Sequence, residues 1–322
     1  MTKEASVENI QSAAATFQEE VITGLQERKK RLSPKHFYDA QGAYLFDQIT
    51  ETDDYYLTSA ELEILQHHGG DIAEKLGEHC RFIEFGSGSG MKTKYVLDEA
   101  YNLHSYVPID ISAPYLSQSI KELKQDYPTL TIEGMCADFT TPISLPESAG
   151  HEKKVVFFPG SSFGNFEPME GELFLKRTAA MLEKGDGLLI GIDLVKNPDI
   201  LHAAYNDTQG YTAAFNKNIL ERINREMDAD FDLASFEHYA FYQPIEKRIE
   251  MHLISQVEQT VQVGPASIPF KEGESIHTEN SYKFTVHDFT VLAAKCGFTR
   301  DKVWLDTNQH VALLYFERTS NE

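Results

Sequence analysis

Cysteine is scarce, with 3 in 322 residues. Cys80, Cys136 and Cys296 are far apart, odd in number and without a C-x-x-C pair, which argues against a disulfide framework or a cysteine zinc cluster. A reducing, cytoplasmic setting is the expectation. Nowhere does an apolar run reach the length of a membrane span. The start, MTKEASVENIQ, lacks a basic start followed by the apolar core of a secretory signal. Positive charge is also short: 29 Lys and Arg stand against 50 Asp and Glu, a formal net charge of −21. Such a surface repels phosphate backbones and anionic lipid, so no nucleic-acid or membrane partner is expected. A cationic or zwitterionic small molecule is not repelled. Repeats and low-complexity tracts are missing as well. What is there, 41% hydrophobic and 25% charged residues, is ordinary for a globular chain long enough for one large or two medium domains.

The N-terminal stretch has Ala14, Phe17, Val21 and Leu25 at helical spacing. An aromatic-rich, aperiodic segment follows, with Phe37, Tyr38, Tyr44, Phe46, Tyr55 and Tyr56 among Asp and Thr. Thr58 or Ser59 is the expected cap of a helix from Ala60, with Leu62, Leu65, Ile72 and Leu76 inward. The chain then alternates. Strands are expected at 81–85, 105–109, 130–135, 155–158 and 188–192, with amphipathic helices in most of the gaps, the pattern of a parallel sheet covered on both faces. Residues 197–226 read as helical and 236–285 as strands of period two. A helix over 286–296 and a hairpin, 299–305 and 310–316 about the turn Asp306–Gln309, end the chain and place an antiparallel strand in the sheet. The expected division is an α/β domain of 60–196 with 286–322, and a second, α+β domain of 1–59 with 197–285.

The main chemical signal is Glu84-Phe85-Gly86-Ser87-Gly88-Ser89-Gly90-Met91-Lys92-Thr93, a buried strand entering three glycines and then a helix. Glycines there allow close backbone approach and leave free N–H groups at a helix start. Counted from Gly86, the last glycine of G-x-G-x-x-G would be Met91, so the dinucleotide pattern fails. Met91 also separates Gly90 from Lys92, so the P-loop pattern fails. An acid leading into G-x-G-x-G suits S-adenosylmethionine (SAM), whose methionine end is cationic. An ordinary strand–helix turn is the plain alternative.

Asp110 ends the second strand about 20 residues past this loop, where an acid accepts from ribose hydroxyls; capping the next helix is the alternative. Asp138-Phe139 follows the third strand, placed for an adenine amino group and ring, or else a loop acid beside a core Phe. The fourth strand ends in Gly160-Ser161-Ser162-Phe163-Gly164-Asn165, where Asn165 is set to hold an amine or carboxylate, or else to occupy a left-handed turn.

In order along the chain stand FYDAQGAYLFDQIT, EFGSGSGMKT, CADF, GSSFGNF, DLVK, AYND, TAAFNKN, RINRE, DFD, FEH, RIEMHL and TENSYKF. By this series the sequence resembles the histidine-specific Nα-methyltransferase family of ergothioneine biosynthesis, which uses SAM to make hercynine. One departure is Ser89-Gly90, where Thr-Ser or similar is expected; it loosens the loop without removing a ligand. The resemblance implies a class I SAM-methyltransferase, Rossmann-like sheet plus a substrate-binding domain. Tyr38, Gly86, Lys92, Asp110, Asp138 and Phe139 are then the cofactor residues. Tyr55, Asn165 and Tyr205 would hold the amino acid's carboxylate and amine, Glu279 and Ser281 the imidazole, and Met251 the pocket wall. Read without the family, Glu279-Asn280-Ser281 is a polar loop, Tyr55 and Tyr205 an amphipathic core edge, and Lys92 a solvated first-turn lysine.

Methyl transfer from a sulfonium is an in-line displacement by a free amine, so no residue nucleophile and no metal is required, and no catalytic base is assigned. Glu279 accepting from one ring nitrogen and Ser281 meeting the other would select histidine. Tyr38, Phe46 and Phe215 are candidates to line the fixed cation that forms. His67-His68 reads as a helix-surface pair. A small-molecule substrate, L-histidine, and a monomer are expected. The alternatives are an N-methyltransferase for another amino acid or aromatic amine, and a SAM- or histidine-binding protein without turnover.

Overall fold

The computed structural model describes residues 7–146 and 152–319. The segment before residue 7, and the side chain of Ala14, lie outside what is described. In chain order the helices are α1 (Val7–Gln26), α2 (Ala40–Thr50), α3 (Tyr56–Leu76), α4 (Met91–Glu99), α5 (Ala113–Asp126), α6 (Pro168–Met181), α7 (Pro198–Tyr205), α8 (Tyr211–Met227) and α9 (Val286–Lys295). The strands are β1 (Arg81–Phe85), β2 (Ser105–Asp110), β3 (Thr131–Ile132), β4 (Met135–Cys136), β5 (Lys154–Phe158), β6 (Gly187–Asp193), β7 (Phe236–Gln243), β8 (Arg248–Ser255), β9 (Gln259–Val263), β10 (Ala266–Phe270), β11 (Ser275–Tyr282), β12 (Phe298–Leu305) and β13 (Val311–Arg318). The described residues form two compact units. One comprises those up to Tyr55 with Asn197–Asn280, the other Tyr56–Lys196 with those from Ser281 on. The junctions thus fall after Tyr55 and Asn280, not after residues 59 and 285.

The second unit is built on a sheet of order β12-β13-β6-β5-β1-β2-β3, with β4 also paired to β2. Strands β1 to β6 pair in parallel, and β13 enters antiparallel between β6 and β12. The order reverses at β1, whose neighbours are β2 and β5; this is the switch point at which ligands bind in open α/β sheets. Alternation along β1 sends Ile83 and Phe85 into one layer with Val107, Val156, Phe158, Phe174 and Phe289. Phe82 faces the other layer with Tyr106, Phe157, Leu189 and the α3 residues Ile64, Leu65, Ile72 and Leu76.

Two expectations are corrected here. The third strand is two short bridges, β3 and β4, rather than one run over 130–135. Pro108 is the physical reason. The carbonyls of Tyr106 and Asp110 both accept from this side, from the N–H groups of Glu133 and Ala137. By alternation Pro108 faces the same way and has no N–H to give, so the ladder breaks between them. Helix α3 starts a turn early, at Tyr56, so Thr58 and Ser59 are inside it rather than capping it; the Ser59 hydroxyl donates back to the Tyr56 carbonyl. Ile64, not Leu62, joins the buried stripe.

In the first unit, the aperiodic aromatic segment folds into a single turn over Pro34–Phe37 and then α2. Asp39 caps α2 through the Gly42 N–H at 2.7 Å. The same carboxylate accepts from Asn218 and Arg225 on α8, at 2.8 and 2.6 Å, which fastens α2 to α8. The span 197–226 is two helices, α7 and α8, because Asp207 takes the Tyr211 and Thr212 N–H groups and starts a new helix. Strands β7, β8 and β11 form one sheet and β9 and β10 a hairpin.

Candidate functional site

In the sheet unit the three glycines leave β1 in left-handed backbone: φ is 67° at Gly86, 51° at Gly88 and 71° at Gly90. A side chain at any of them would be strained. A Cβ on Gly86 would meet only the Phe139 ring, at 3.6 Å, and one on Gly88 only the Gly86 carbonyl, at 3.9 Å. The loop therefore presents bare backbone beside an aromatic ring, a cradle that fits a flat heterocycle and its sugar. Asp110 shapes it, with one carboxylate oxygen taking the Gly88 N–H at 3.1 Å and the other the Ser112 N–H at 2.9 Å. Asp110 does not cap α5, whose N-cap position is Ser112, and each of its oxygens keeps a second lone pair. Asp138 accepts the Thr140 N–H at 2.8 Å, and the Phe139 ring lies parallel to Phe85, centroids 5.8 Å apart.

Lys92 is not a solvated lysine. Its ammonium meets Glu61 of α3 at 2.5 Å, and the same buried carboxylate accepts the Gly160 N–H at 2.9 Å. Glu61 thus ties the helix after the glycine loop to the end of β5. It was missed because it sits among ordinary helix residues. The signal was there: a charge with Leu57, Ile64 and Leu65 on a buried helical stripe.

Glu84 is held by neighbouring side chains. It is fully buried, and one oxygen accepts from the hydroxyls of Thr93 and Tyr106. Burial pushes its carboxyl up to about 7 against those two bonds. The acid leading into the loop therefore braces β1, β2 and α4.

Asn165 lies at the end of a single turn, Ser162–Asn165, and the left-handed residue there is Ser161, at φ 57°. The turn-forming explanation for Asn165 is thereby removed. Gly164 is needed for proximity, because a Cβ would sit 2.8 Å from the Tyr282 carbonyl and 3.5 Å from the Ser281 hydroxyl. The turn bearing Asn165 thus lies against Ser281. Ser281 accepts from Lys283 at 2.7 Å, and Lys283 pairs with Asp193 at 2.7 Å. Asp193 also takes Lys196 and, at 2.8 Å, the Tyr56 hydroxyl. Burial works against the Asp193 carboxylate, but Lys283 and Lys196 outweigh it and hold it below the usual range. Burial brings Lys196 down to about 8.

The first unit gathers the aromatic candidates. Tyr38 lies edge-on to Phe46 and Phe215, at 5.8 and 5.6 Å between centroids. Phe46 meets Tyr55 at 6.2 Å, and Tyr55 meets Tyr205 at 6.4 Å. Tyr38, expected among the cofactor residues, is thus placed with the rings around Tyr55 and Tyr205 and in a different unit from the glycine loop. A chain of hydrogen bonds that the sequence did not reveal sets this cluster. His238 donates to the Tyr205 carbonyl and accepts from Asn216, each at 2.9 Å. Asn216 accepts from Thr278 at 2.7 Å, and Thr278 is 3.1 Å from the Met251 carbonyl. Met251, in β8, is buried, as is Glu279 in β11. His238 belongs to FEH and Asn216 to TAAFNKN, so the motifs marked these residues without giving them a task.

His67 is exposed, with Glu63 at 3.9 Å one helical turn away, an acid neighbour overlooked in the sequence. The three cysteines are unpaired thiols. No helix among the described residues is long and apolar enough to cross a membrane.

Comparison with known proteins supplies the family. The model of SAM-dependent, histidine-specific methyltransferases matches residues 17–318. A histidine N-alpha-methyltransferase of Mycolicibacterium smegmatis is 38% identical over 92% of this chain and 92% of its own. That of Mycobacterium tuberculosis is 38% identical over 89% and 90%. An ergothioneine biosynthesis protein of Schizosaccharomyces pombe is 30% identical over 91% of this chain and 39% of its own length. Among solved structures, a SAM-dependent methyltransferase of Clostridium acetobutylicum is 10% identical, with a TM-score of 0.48, over 87% of this chain and 98% of its own. With a sheet whose last strand enters antiparallel beside β6, a glycine loop at the switch point, and a family match over nearly the whole sequence, the chain belongs to the SAM-dependent histidine-specific methyltransferases.

Proposed function

We propose that this protein transfers methyl groups from SAM to the α-amino nitrogen of L-histidine, ending at the trimethylated betaine hercynine, the opening step of ergothioneine synthesis. The observation that carries the reading is the ring cluster Tyr38, Phe46, Tyr55, Tyr205 and Phe215. Aromatic faces attract quaternary ammonium, which is what the product is.

SAM supplies an electrophilic methyl on a sulfonium. Gly86 and Gly88 offer bare backbone to it, Asp110 and Asp138 accept from ribose and adenine, Phe139 lies on the ring, and Lys92 is aimed by Glu61. The sheet unit is on this reading the cofactor-binding domain and the other the substrate-binding domain. Tyr55, Tyr205 and Asn165 hold the amino acid's carboxylate and amine. Glu279 accepts an imidazole N–H, Ser281 meets the other ring nitrogen, and Met251 fills the wall. The α-ammonium gives its proton to solvent, and the side chains orient the neutral amine; orientation is the main source of rate in such a displacement.

A panel of amino acids and amines incubated with SAM, read by product mass, tests the proposal. Histidine should gain one, two and three methyl groups. Methylation of other amines with none on histidine would reject it in favour of a relative's chemistry; an L-tryptophan methyltransferase of Psilocybe serbica is 26% identical over 88% of this chain and 87% of its own. Glu279→Ala should cost histidine about 10- to 100-fold in kcat/KM, the worth of a charged hydrogen bond, with less effect on amines lacking the ring N–H.

A further inference from the structure

Glu250 and His252 share one face of β8, two residues apart, and His277 lies on the adjoining strand β11. One ligand-capable atom from each lies within 4.8 Å of the others. The proposed function gives none of the three a task. We propose that Glu250, His252 and His277 form a zinc-binding site, with water completing the tetrahedron.

The hydrogen bonding around the cluster is that of a ligand set. The His277 Nε2 is 3.0 Å from the Glu279 carbonyl oxygen. A carbonyl only accepts, so Nε2 carries the proton and Nδ1 keeps its lone pair. Metal-ligating histidines are commonly oriented by such an outer bond to a backbone carbonyl. The His252 ring lies nearly parallel to Phe241, centroids 5.6 Å apart. Its Nε2 is 3.1 Å from one oxygen of Glu250, while its Nδ1 is buried with no hydrogen-bond partner. A buried ring nitrogen without a partner is costly, so hydrogen bonding within the protein does not account for this ring on both sides. Arg248 fixes the other Glu250 oxygen through Nε at 2.8 Å and Nη2 at 2.6 Å. Two imidazoles and one carboxylate suit zinc, whereas calcium and magnesium prefer all-oxygen sets.

The site has a route to activity. His277 stands two residues before Glu279 and holds its carbonyl, so a metal drawing on the His277 ring would shift the backbone that carries the proposed imidazole acceptor. That consequence rests on the reading of Glu279; the zinc site does not. Free histidine itself chelates zinc, so binding is measured without substrate.

The experiment is a zinc titration of tag-free, metal-stripped protein against a chromophoric chelator, with cobalt(II) as a spectroscopic stand-in. One equivalent of zinc should bind, with a tetrahedral cobalt spectrum. His277→Gln and His252→Gln should each weaken it by about 10- to 100-fold, and His67→Gln, on the surface of α3, should leave it unchanged. Circular dichroism checks folding, and Glu250→Gln replaces either variant that fails. Absence of binding at micromolar zinc, or binding indifferent to these substitutions, would overturn the proposal.

Discussion

Asp193 and Lys283, both fully buried, form an ion pair of 2.7 Å, and Lys283 passes its second contact to the Ser281 hydroxyl. The Asp193 carboxylate pairs with two ammonium groups, Lys283 and Lys196. Because Lys283 donates to the Ser281 oxygen, the Ser281 hydrogen is directed away from it, as a donor.

Removing the shared counter-charge is the most damaging single change in this network. Asp193→Asn removes the carboxylate that pairs with two buried ammonium groups, and should destabilise by about 3–5 kcal/mol. Thermal melting at pH 7 checks this. A midpoint within a degree of the parent would show that the network contributes little.

Glu84 gives the sheet unit a pH dependence of defined sign. Its folded carboxyl, at about 7, lies above the ordinary 4.5, so the folded state holds this proton more tightly than the unfolded chain. The resulting stability is complete below about pH 4.5 and is lost as pH rises through 7, roughly 3 kcal/mol in all. Glu84→Gln keeps an oxygen to accept from Thr93 and Tyr106 and has no proton to lose. Denaturant unfolding at pH 5 and pH 8 should show a smaller loss in the variant than in the parent; equal losses would put the pH dependence elsewhere.

Glu61 holds Lys92 and the Gly160 N–H, and on the proposed function it acts through them. Glu61→Ala should weaken SAM binding by about tenfold, the worth of a lost charge-assisted bond, and Glu61→Gln, which still accepts from Gly160, by less. Calorimetry with SAM distinguishes these. Full affinity in Glu61→Ala would remove Lys92 from the cofactor's surroundings.

Phe46 is half-buried beside Tyr38 and Tyr55, and the proposed function has it offer a face to the growing cation. Phe46→Leu should slow the last methylation more than the first, since attraction to the ring is of order 0.5–2 kcal/mol and is strongest for a desolvated fixed charge. A time course of product masses should then show the dimethyl form accumulating. An unchanged product ratio would assign the ring to packing alone.

The sheet was legible from the sequence because its strands are short apolar runs bounded by helices, a pattern set by burial and period alone. The glycine loop was legible because positive φ is chemically tied to glycine. Asp110, Asp138, Phe139 and Asn165 could be placed at strand ends from the sequence, since strand ends are fixed once the strands are. The break beside Pro108 was missed because it depends on which way an absent N–H points, which only the register reveals.

What the sequence determined by itself is the set of local preferences: the parallel sheet, the three left-handed glycines, and the motifs that mark the family. Tertiary structure decided which charges meet. Glu61 and Lys92, Asp193 and Lys283, and Glu250, His252 and His277 are far apart or unremarkable along the chain, and a Coulomb or hydrogen-bond partner is chosen by distance in space. The same rule gave Glu84 the hydroxyls of Thr93 and Tyr106, because a residue's face in a strand follows from alternation while its neighbours follow from what packs against that face.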